Sequence, residues 1–534
     1  MEDDDMKDLT SSVYTFEDLI KGNYLYVDKT EYIWNLVRPY KGIYFLSRPR
    51  RFGKSLTIST LKAVFQGKKD LFKGLAIYEK EYDWKEYPVI HLDMGNCKAT
   101  TPKQLEDFIS DKLNMLASDF SVILQGESNS TRFEYLIKEL SVKGGVVILL
   151  DEYDKPILNN ATNPQAKMIL NTLKDFYSSI KTCEGMERFV FITGVTKFSH
   201  VSLFSDLNNL TDITMDYDYA TMLGYTQKEF ETYFADRIGE AAKTLNVTYD
   251  ELWQEIKAWY DGYRFEENSE SVYNPVSLAN FFTKRYKFDN YWFDTGTPSF
   301  LMEVIKKTNF DFENVLKRPV GKMAFKAFEI DRIDPLSLLL QTGYLTIKDS
   351  FQDFNTTFYH LDFPNYEVRS SFDTYLLNAY TDIPKDDLEQ VAVSLARHVR
   401  NGNVDGFMND LKSFLKKIPY GIQLPEEKYY QTIIFLVFLL LGIHVDAESQ
   451  TSDGRIDAVA AYGDWIYLFE FKLNQSAEVA FDQIMRKEYF HKYLHTGKRT
   501  VIIGADIDSE KRQITDWKSL EITDCPRSIF HEKS

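Results

Sequence analysis

Two stretches of this 534-residue chain carry side chains whose types and spacing do chemistry. The first is SRPRRFGKSLTISTLKAVF, from Ser47. Gly53, Lys54 and Ser55 fill the last three places of the phosphate-binding pattern GxxxxGK[ST], which follows a strand and opens a helix. In that reading the amides of Arg51, Phe52, Gly53, Lys54 and Ser55 point at an anion, Lys54 adds a point charge, and the Ser55 hydroxyl ligates magnesium. Arg48 stands where the pattern has its first glycine. The complementary half of such a site is an acid at the end of another buried strand, and VVILLDEYDKP supplies Asp151 and Glu152. Asp151 is read as holding the magnesium through water, and Glu152 as orienting or deprotonating an attacking water. Thr193, closing FVFITG, is a candidate sensor of the terminal phosphate. Its rival reading is a strand-end hydroxyl satisfying a backbone group.

The second stretch is HVDAESQTSDGRIDAVAAYGDWIYLFEFKLN. On a strand from Trp465 to Lys472, residues two apart share a face, so Glu470 and Lys472 point one way while Phe469 and Phe471 point the other. A two-residue turn at Gly463 and Asp464 pairs Tyr462 with Trp465. Counting back along that register sets Asp457 opposite Glu470, with Cβ atoms about 5 Å apart. Two carboxylates that close repel unless something positive lies between them, and magnesium, or manganese, is the natural occupant. Lys472 would orient or activate a water attacking a phosphodiester, and Glu448 is a further candidate ligand from the preceding segment. The plainer alternative is an edge hairpin whose polar face carries a surface ion pair worth little.

These residues need scaffolds, and the patterning supplies them. GIYFL, PVIHLDM, VVILL and FVFITGV read as strands buried on both faces and separated by amphipathic segments, the mark of a parallel α/β sheet. From about Tyr217 the chain turns to aromatic-rich helices, and DPLSLLLQTGYLTIKD reads as helix, glycine stop and strand, as in small winged domains. A polar stretch, TDIPKDDLEQ, precedes helices, the hairpin, a helix from Ala477 to about Leu494 and the strand RTVIIGAD. The expected organisation is an α/β sheet domain over residues 1–215, a helical and winged-like region over 216–375, and a nuclease-like α/β domain over 376–534.

Composition bounds the rest. With 44% apolar and 27% charged residues the chain is globular. Its net charge of -17 disfavours non-specific nucleic-acid binding overall while leaving room for a local basic groove. Arg486, Lys487, Lys492, Lys498 and Arg499 are the candidates for such a rim. Three scattered cysteines make neither a zinc site nor a disulfide framework. The longest apolar run, Ile433 to Leu441, is far short of the roughly 20 residues a membrane span needs, so the expected protein is cytoplasmic and makes no membrane contact.

YVDKTEYI, RPRRFGKSL, LLDEYDKPI, FITGVTKFSHVSLFSDLNNLTDIT and WYDGYRF, in that order, resemble the AAA-ATPase-like family, in which a P-loop ATPase domain is joined to a C-terminal nuclease-like domain. The resemblance implies a P-loop fold of AAA type and ATP with magnesium as ligands. It also raises the possibility of a homo-oligomer, in which an arginine reaches a neighbour's phosphate; no arginine is well placed for that, Arg188 having only its place just before FVFITG, while Arg50 and Arg51 are candidates to touch phosphate or a neighbour. The D…ExK arrangement of Asp457, Glu470 and Lys472, with Glu448 upstream, resembles the PD-(D/E)xK nuclease superfamily. By that resemblance Gln483, Lys487 and Tyr489 on the next helix are nucleic-acid contacts. The implied activity is ATP binding and hydrolysis coupled to magnesium-dependent cleavage of nucleic acid, DNA before RNA. The rival is an ATP-operated switch whose nuclease-like domain only grips a partner.

Overall fold

The computed structural model describes residues 6–142, 144–197, 209–292, 301–302, 304–305, 316, 318–325, 333–419, 427–441, 444–451, 454–494 and 496–522. The chain divides into two compact units, Met1–Arg369 and Ser370–Ser534. The helical and winged-like region thus shares a unit with the N-terminal sheet.

The first unit is built on strands β1 (Gly42–Ser47), β2 (Val89–Asp93), β3 (Val146–Asp151), β4 (Glu187–Gly194) and the short β5 (Thr211–Asp212), ordered β2-β3-β4-β1-β5. All neighbouring pairs are parallel. The near-continuous apolar runs have the expected cause: β3 and β4 are buried along their whole length. Parallel strands bring the carboxyl ends of β1 to β4 to one edge of the sheet, where ligands bind in folds of this kind. The helix Lys54–Phe65 starts at that edge. Helices Gln227–Leu245, Tyr249–Tyr260 and Pro275–Thr283 follow, opened by capping hydrogen bonds from Thr226, Thr248 and Asn274. They close on a core of Phe230, Phe234, Ile256, Tyr260 and Phe281. The helix Pro335–Thr342, its stop at Gly343 and the strand after it match the sequence pattern. There, β6 (Val320–Gly321), β7 (Thr346–Asp353) and β8 (Thr356–Asp362) form an antiparallel sheet in the order β6-β8-β7.

The second unit carries helices Lys385–Arg400, Val404–Lys417 and Glu427–Leu440. Its sheet comprises β9 (His444–Thr451), β10 (Gly454–Tyr462), β11 (Trp465–Leu473), β12 (Arg499–Asp508) and β13 (Gln513–Ile522), ordered β13-β12-β11-β10-β9. Only β11 and β12 run parallel, which demands a crossover, and the helix Ala477–Lys487 is that crossover. It ends about two turns earlier than its apolar stripe suggests, because Glu488 takes a left-handed conformation (φ 50°) and a single 3-10 turn, His491–Tyr493, follows. One face of β11 packs Ile466 and Leu468 against Phe481 and Ile484 of this helix. The other packs Phe469 against Phe407 and Phe438. The carboxylate-bearing strand is therefore central and covered on both faces.

Candidate functional site

In the first unit the loop between β1 and its helix turns through Arg51 (φ 65°) and Gly53 (φ 96°), backbone values that an L side chain adopts at a cost and glycine adopts freely. Lys54 is only 7% exposed. Its Nζ donates to the carbonyls of Arg48 (3.0 Å) and Pro49 (2.8 Å), and burial pushes its pKa down. Burial lifts the pKa of Asp151 to about 6, against the opposing pull of the nearby Ser55 hydroxyl and Lys54 charge. Glu152 has a left-handed backbone (φ 50°) at the turn out of β3. A cavity of about 550 Å³ is lined by Arg51 to Thr57, Asp93, Glu152 and Lys155. Its lining also includes apolar residues, among them Leu25, Val27, Ile33, Leu223 and Val276.

Several residues do other work than the sequence suggested. Arg48, in the place of the first glycine, faces the protein body rather than an anion. Its guanidinium donates to the carbonyls of Ser47, Thr214 and Tyr219 and lies 4.2 Å from the centre of the Phe265 ring. Burial depresses its pKa to about 9. Arg51 donates to the Tyr291 carbonyl, and the Phe52 ring packs edge-on against Tyr263 and Phe265. For Arg51 and Phe52, then, the main-chain amide is the group left to meet a ligand. Thr193 lies on β4, between β1 and β3, but is fully buried and its hydroxyl donates to the Leu46 carbonyl (2.9 Å). Arg188 is at the opposite, amino-terminal edge of the sheet, where it donates to the Val37 carbonyl (2.8 Å). It is buried there (8% exposed), so its guanidinium is turned into its own chain rather than toward a neighbour's phosphate. Lys29 is paired with Glu229 (2.7 Å) and the Thr221 carbonyl, and Asp28 Oδ1 accepts from the Thr30 amide (2.8 Å) just ahead of the helix Thr30–Val37. The strand-end acid of β2 escaped the sequence reading. Asp93 pairs in register with Asp151, accepts a hydrogen bond from the Gly95 amide (2.7 Å) and lines the same cavity as Glu152. Its signal was in PVIHLDM, an apolar run closed by an acid just as VVILLD is.

In the second unit the hairpin register pairs Tyr462 with Trp465 and Ala458 with Phe469, so Asp457 stands one place further on, level with Glu470. Asp457 Oδ2 accepts from the Phe471 amide (2.8 Å). Glu470 is 1% exposed. Its Oε1 accepts from Lys472 Nζ (2.8 Å) and from Gln483 Nε2 of the covering helix. Among the described residues its Oε2 is buried with no hydrogen-bond partner. Burial first, and the nearby Asp457 charge second, raise the Glu470 pKa to about 7. Gln483 reaches in because the helix lies almost on β12 at Gly504, which pairs with Glu470; a Cβ there would sit 2.3 Å from the Phe481 amide nitrogen.

An orphaned carboxylate oxygen beside a second carboxylate is the donor set a hard divalent cation requires. Asp457 and Glu470 fit such an ion. Among the described residues no group of three or more His, Cys, Asp or Glu side chains forms a metal cage. Glu448 lies on β9, and its side chain is outside the described residues. Lys487 is half-buried near the end of the helix. Tyr489 is 3% exposed and packs with Val459, Ile466 and Ile502, so its ring serves the core rather than a nucleic-acid surface. Arg499 stands across from Trp465, about 17 Å along the strand from Glu470. It is paired there with Glu521 (2.7 Å) and stacked on the Trp465 ring. Arg499 and its neighbour Lys498 thus lie away from the site.

A P-loop α/β sheet domain and a PD-(D/E)xK-like α/β domain in one chain define a two-part class. The chain belongs to the family of AAA-ATPase-like proteins that carry a C-terminal PD-(D/E)xK nuclease-superfamily domain. Residues 11–204 match the family described as "Predicted AAA-ATPase". Residues 425–517 match the PD-(D/E)XK nuclease superfamily. The chain is 35% identical over 525 residues to an "Uncharacterized protein in vnfD 5'region" of Azotobacter chroococcum mcd 1, across 96% of this chain and 98% of that one. Among the described residues no helix is long and apolar enough to cross a membrane.

Proposed function

We propose that this chain binds and hydrolyses ATP in its first unit and cleaves nucleic-acid phosphodiesters in its second. The amides of residues 51–55 cradle the phosphates, and Lys54 leaves its two loop carbonyls to meet them. Ser55 and Asp151 would hold magnesium, whose charge would offset that of the phosphates. Glu152 orients the attacking water and accepts its proton.

In the second unit Asp457 and Glu470 would hold Mg²⁺ or Mn²⁺, with Glu448 as the third candidate ligand. When bound, such an ion polarises the phosphoryl oxygen. Lys472, released from Glu470, positions the attacking water against the scissile phosphate. Gln483 keeps the Glu470 carboxylate aimed, and Lys487 is the candidate phosphate contact at the rim. DNA is the proposed substrate before RNA. The observation that carries the nuclease reading is the Glu470 carboxylate, buried, braced by Lys472 and Gln483, with one oxygen that has no hydrogen-bond partner among the described residues.

The test is incubation of wild type, Asp457→Ala and Lys472→Ala with single- and double-stranded DNA and RNA, with and without Mg²⁺ and ATP. Metal-dependent cleavage by wild type alone supports the proposal. Salt-sensitive binding without cleavage in all three would mean that the domain only grips its partner.

A further inference from the structure

Hydrolysis of a nucleotide needs positive charge on the terminal phosphate beyond Lys54, and in ring-forming ATPases an arginine from a neighbouring subunit supplies it. Arg48, Arg51 and Arg188 are each bonded to main-chain carbonyls, and Lys29 is paired with Glu229. Arg50 also lines the cavity, on the loop ahead of Gly53; Lys155 is the cation set against the strand-end acid. It lines the same cavity as Lys54 and Glu152, is partly exposed to it, and has its Nζ 3.9 Å from Glu152 Oε2.

Its position is fixed by the turn between them. Glu152 reverses the chain with its left-handed backbone, and the Tyr153 amide donates to the Thr193 carbonyl at the end of β4. The Asp154 carboxylate then accepts from the amides of Val195 and Thr196 and from the Thr196 hydroxyl. These bonds tie residues 152–155 to the strand that separates β1 from β3. Lys155 is thereby set beside the acid that handles the attacking water, in a cavity that also holds the carboxylate of Asp93.

We propose that Lys155 is the cation that meets the nucleotide's terminal phosphate, supplied by the same chain rather than by a neighbour. The inference rests on the ATPase reading above. Its ammonium pairs with Glu152; with nucleotide bound it turns to the phosphate and leaves Glu152 free to act on water. Water oxygen then bonds to the γ-phosphorus, the bond from that phosphorus to the β–γ bridging oxygen breaks, ADP departs, and the water proton passes to Glu152. Lys155 stays protonated throughout and stabilises the charge on the phosphoryl oxygens.

The experiment compares wild type, Lys155→Met and Lys155→Arg in the full chain by steady-state ATP turnover and by affinity for ADP, with and without aluminium fluoride. Lys155→Met should lose about 100-fold or more in kcat while binding ADP within about threefold of wild type. It should lose the tighter binding that aluminium fluoride confers, and Lys155→Arg should recover part of both. Unchanged turnover in Lys155→Met, or equal loss of ADP and ADP–aluminium fluoride binding, overturns the proposal. Recovery of turnover on mixing Lys155→Met with Lys54→Ala would also overturn it, since the lysine would then be acting on a neighbour. Failure of the ATPase reading looks different: wild type itself binds no nucleotide. If wild type binds ADP without turning over ATP, the aluminium fluoride arm still decides for or against Lys155.

Discussion

At the scale of single residues, the two candidate sites share one device, a buried carboxylate held above its ordinary pKa until a cation arrives. Glu470 shows it most clearly. An unfolded glutamate ionises near its ordinary value of 4.5, whereas Glu470 in the fold ionises only at about 7. The folded state therefore holds the extra proton, and its stabilising contribution is complete below pH 4.5 and is lost as pH rises through 7. Without divalent metal, stability of the second unit should fall over that window. Mg²⁺ or Mn²⁺ should restore it, more strongly at pH 8 than at pH 5.5. Glu470→Gln should flatten both responses in thermal melts. A metal-independent pH profile in wild type would count against the ion site. In the first unit, Lys54→Ala should lower ATP affinity by at least about tenfold, measured by titration calorimetry. Glu152→Gln should preserve affinity and slow turnover by about 100-fold.

At the scale of elements, each site depends on a close approach between a helix and a strand. Gly504 lets the helix Ala477–Lys487 settle onto β12 at the level of Glu470. Gly504→Val should force that helix outward, cost about 1–3 kcal/mol of stability and part Gln483 from Glu470. The readout is a chemical-denaturation midpoint together with Mn²⁺ affinity. A variant with wild-type values in both would show that the approach does not matter. The P-loop is held more firmly, because Arg48 and Phe52 anchor it in the aromatic core around Tyr263 and Phe265. An arginine in the first-glycine place is thus a structural brace, not damage to the motif.

At the scale of the whole molecule, two compact units with separate cores should respond to different ligands. Scanning calorimetry should resolve two transitions, with ATP and magnesium raising one and Mn²⁺ alone raising the other. Ligand at 100 times its dissociation constant stabilises its unit by about 2.7 kcal/mol. A single transition moved equally by both ligands would contradict independent folding. The net charge of -17 keeps long-range attraction for nucleic acid weak, so binding to the second unit should depend on a few local phosphate contacts and fall with salt only in proportion to their number.

The sequence by itself determined the local and periodic features. Runs such as VVILL fixed doubly buried parallel strands, and Gly53-Lys54-Ser55 fixed the loop that opens a helix. The turn at Gly463 fixed the register that sets Asp457 level with Glu470, because period-two geometry leaves no freedom once the turn is placed. Only the tertiary structure decided what depends on segments far apart in the chain. It turned Arg48 toward Thr214 and Tyr219, buried Tyr489 in the core and buried Arg188 against the Val37 carbonyl. It also brought Asp93 and Lys155 to the cavity of Lys54. The physical reason is that a side chain's burial and partners are set by what packs over it, and one strand's pattern says nothing about which helix or loop that will be.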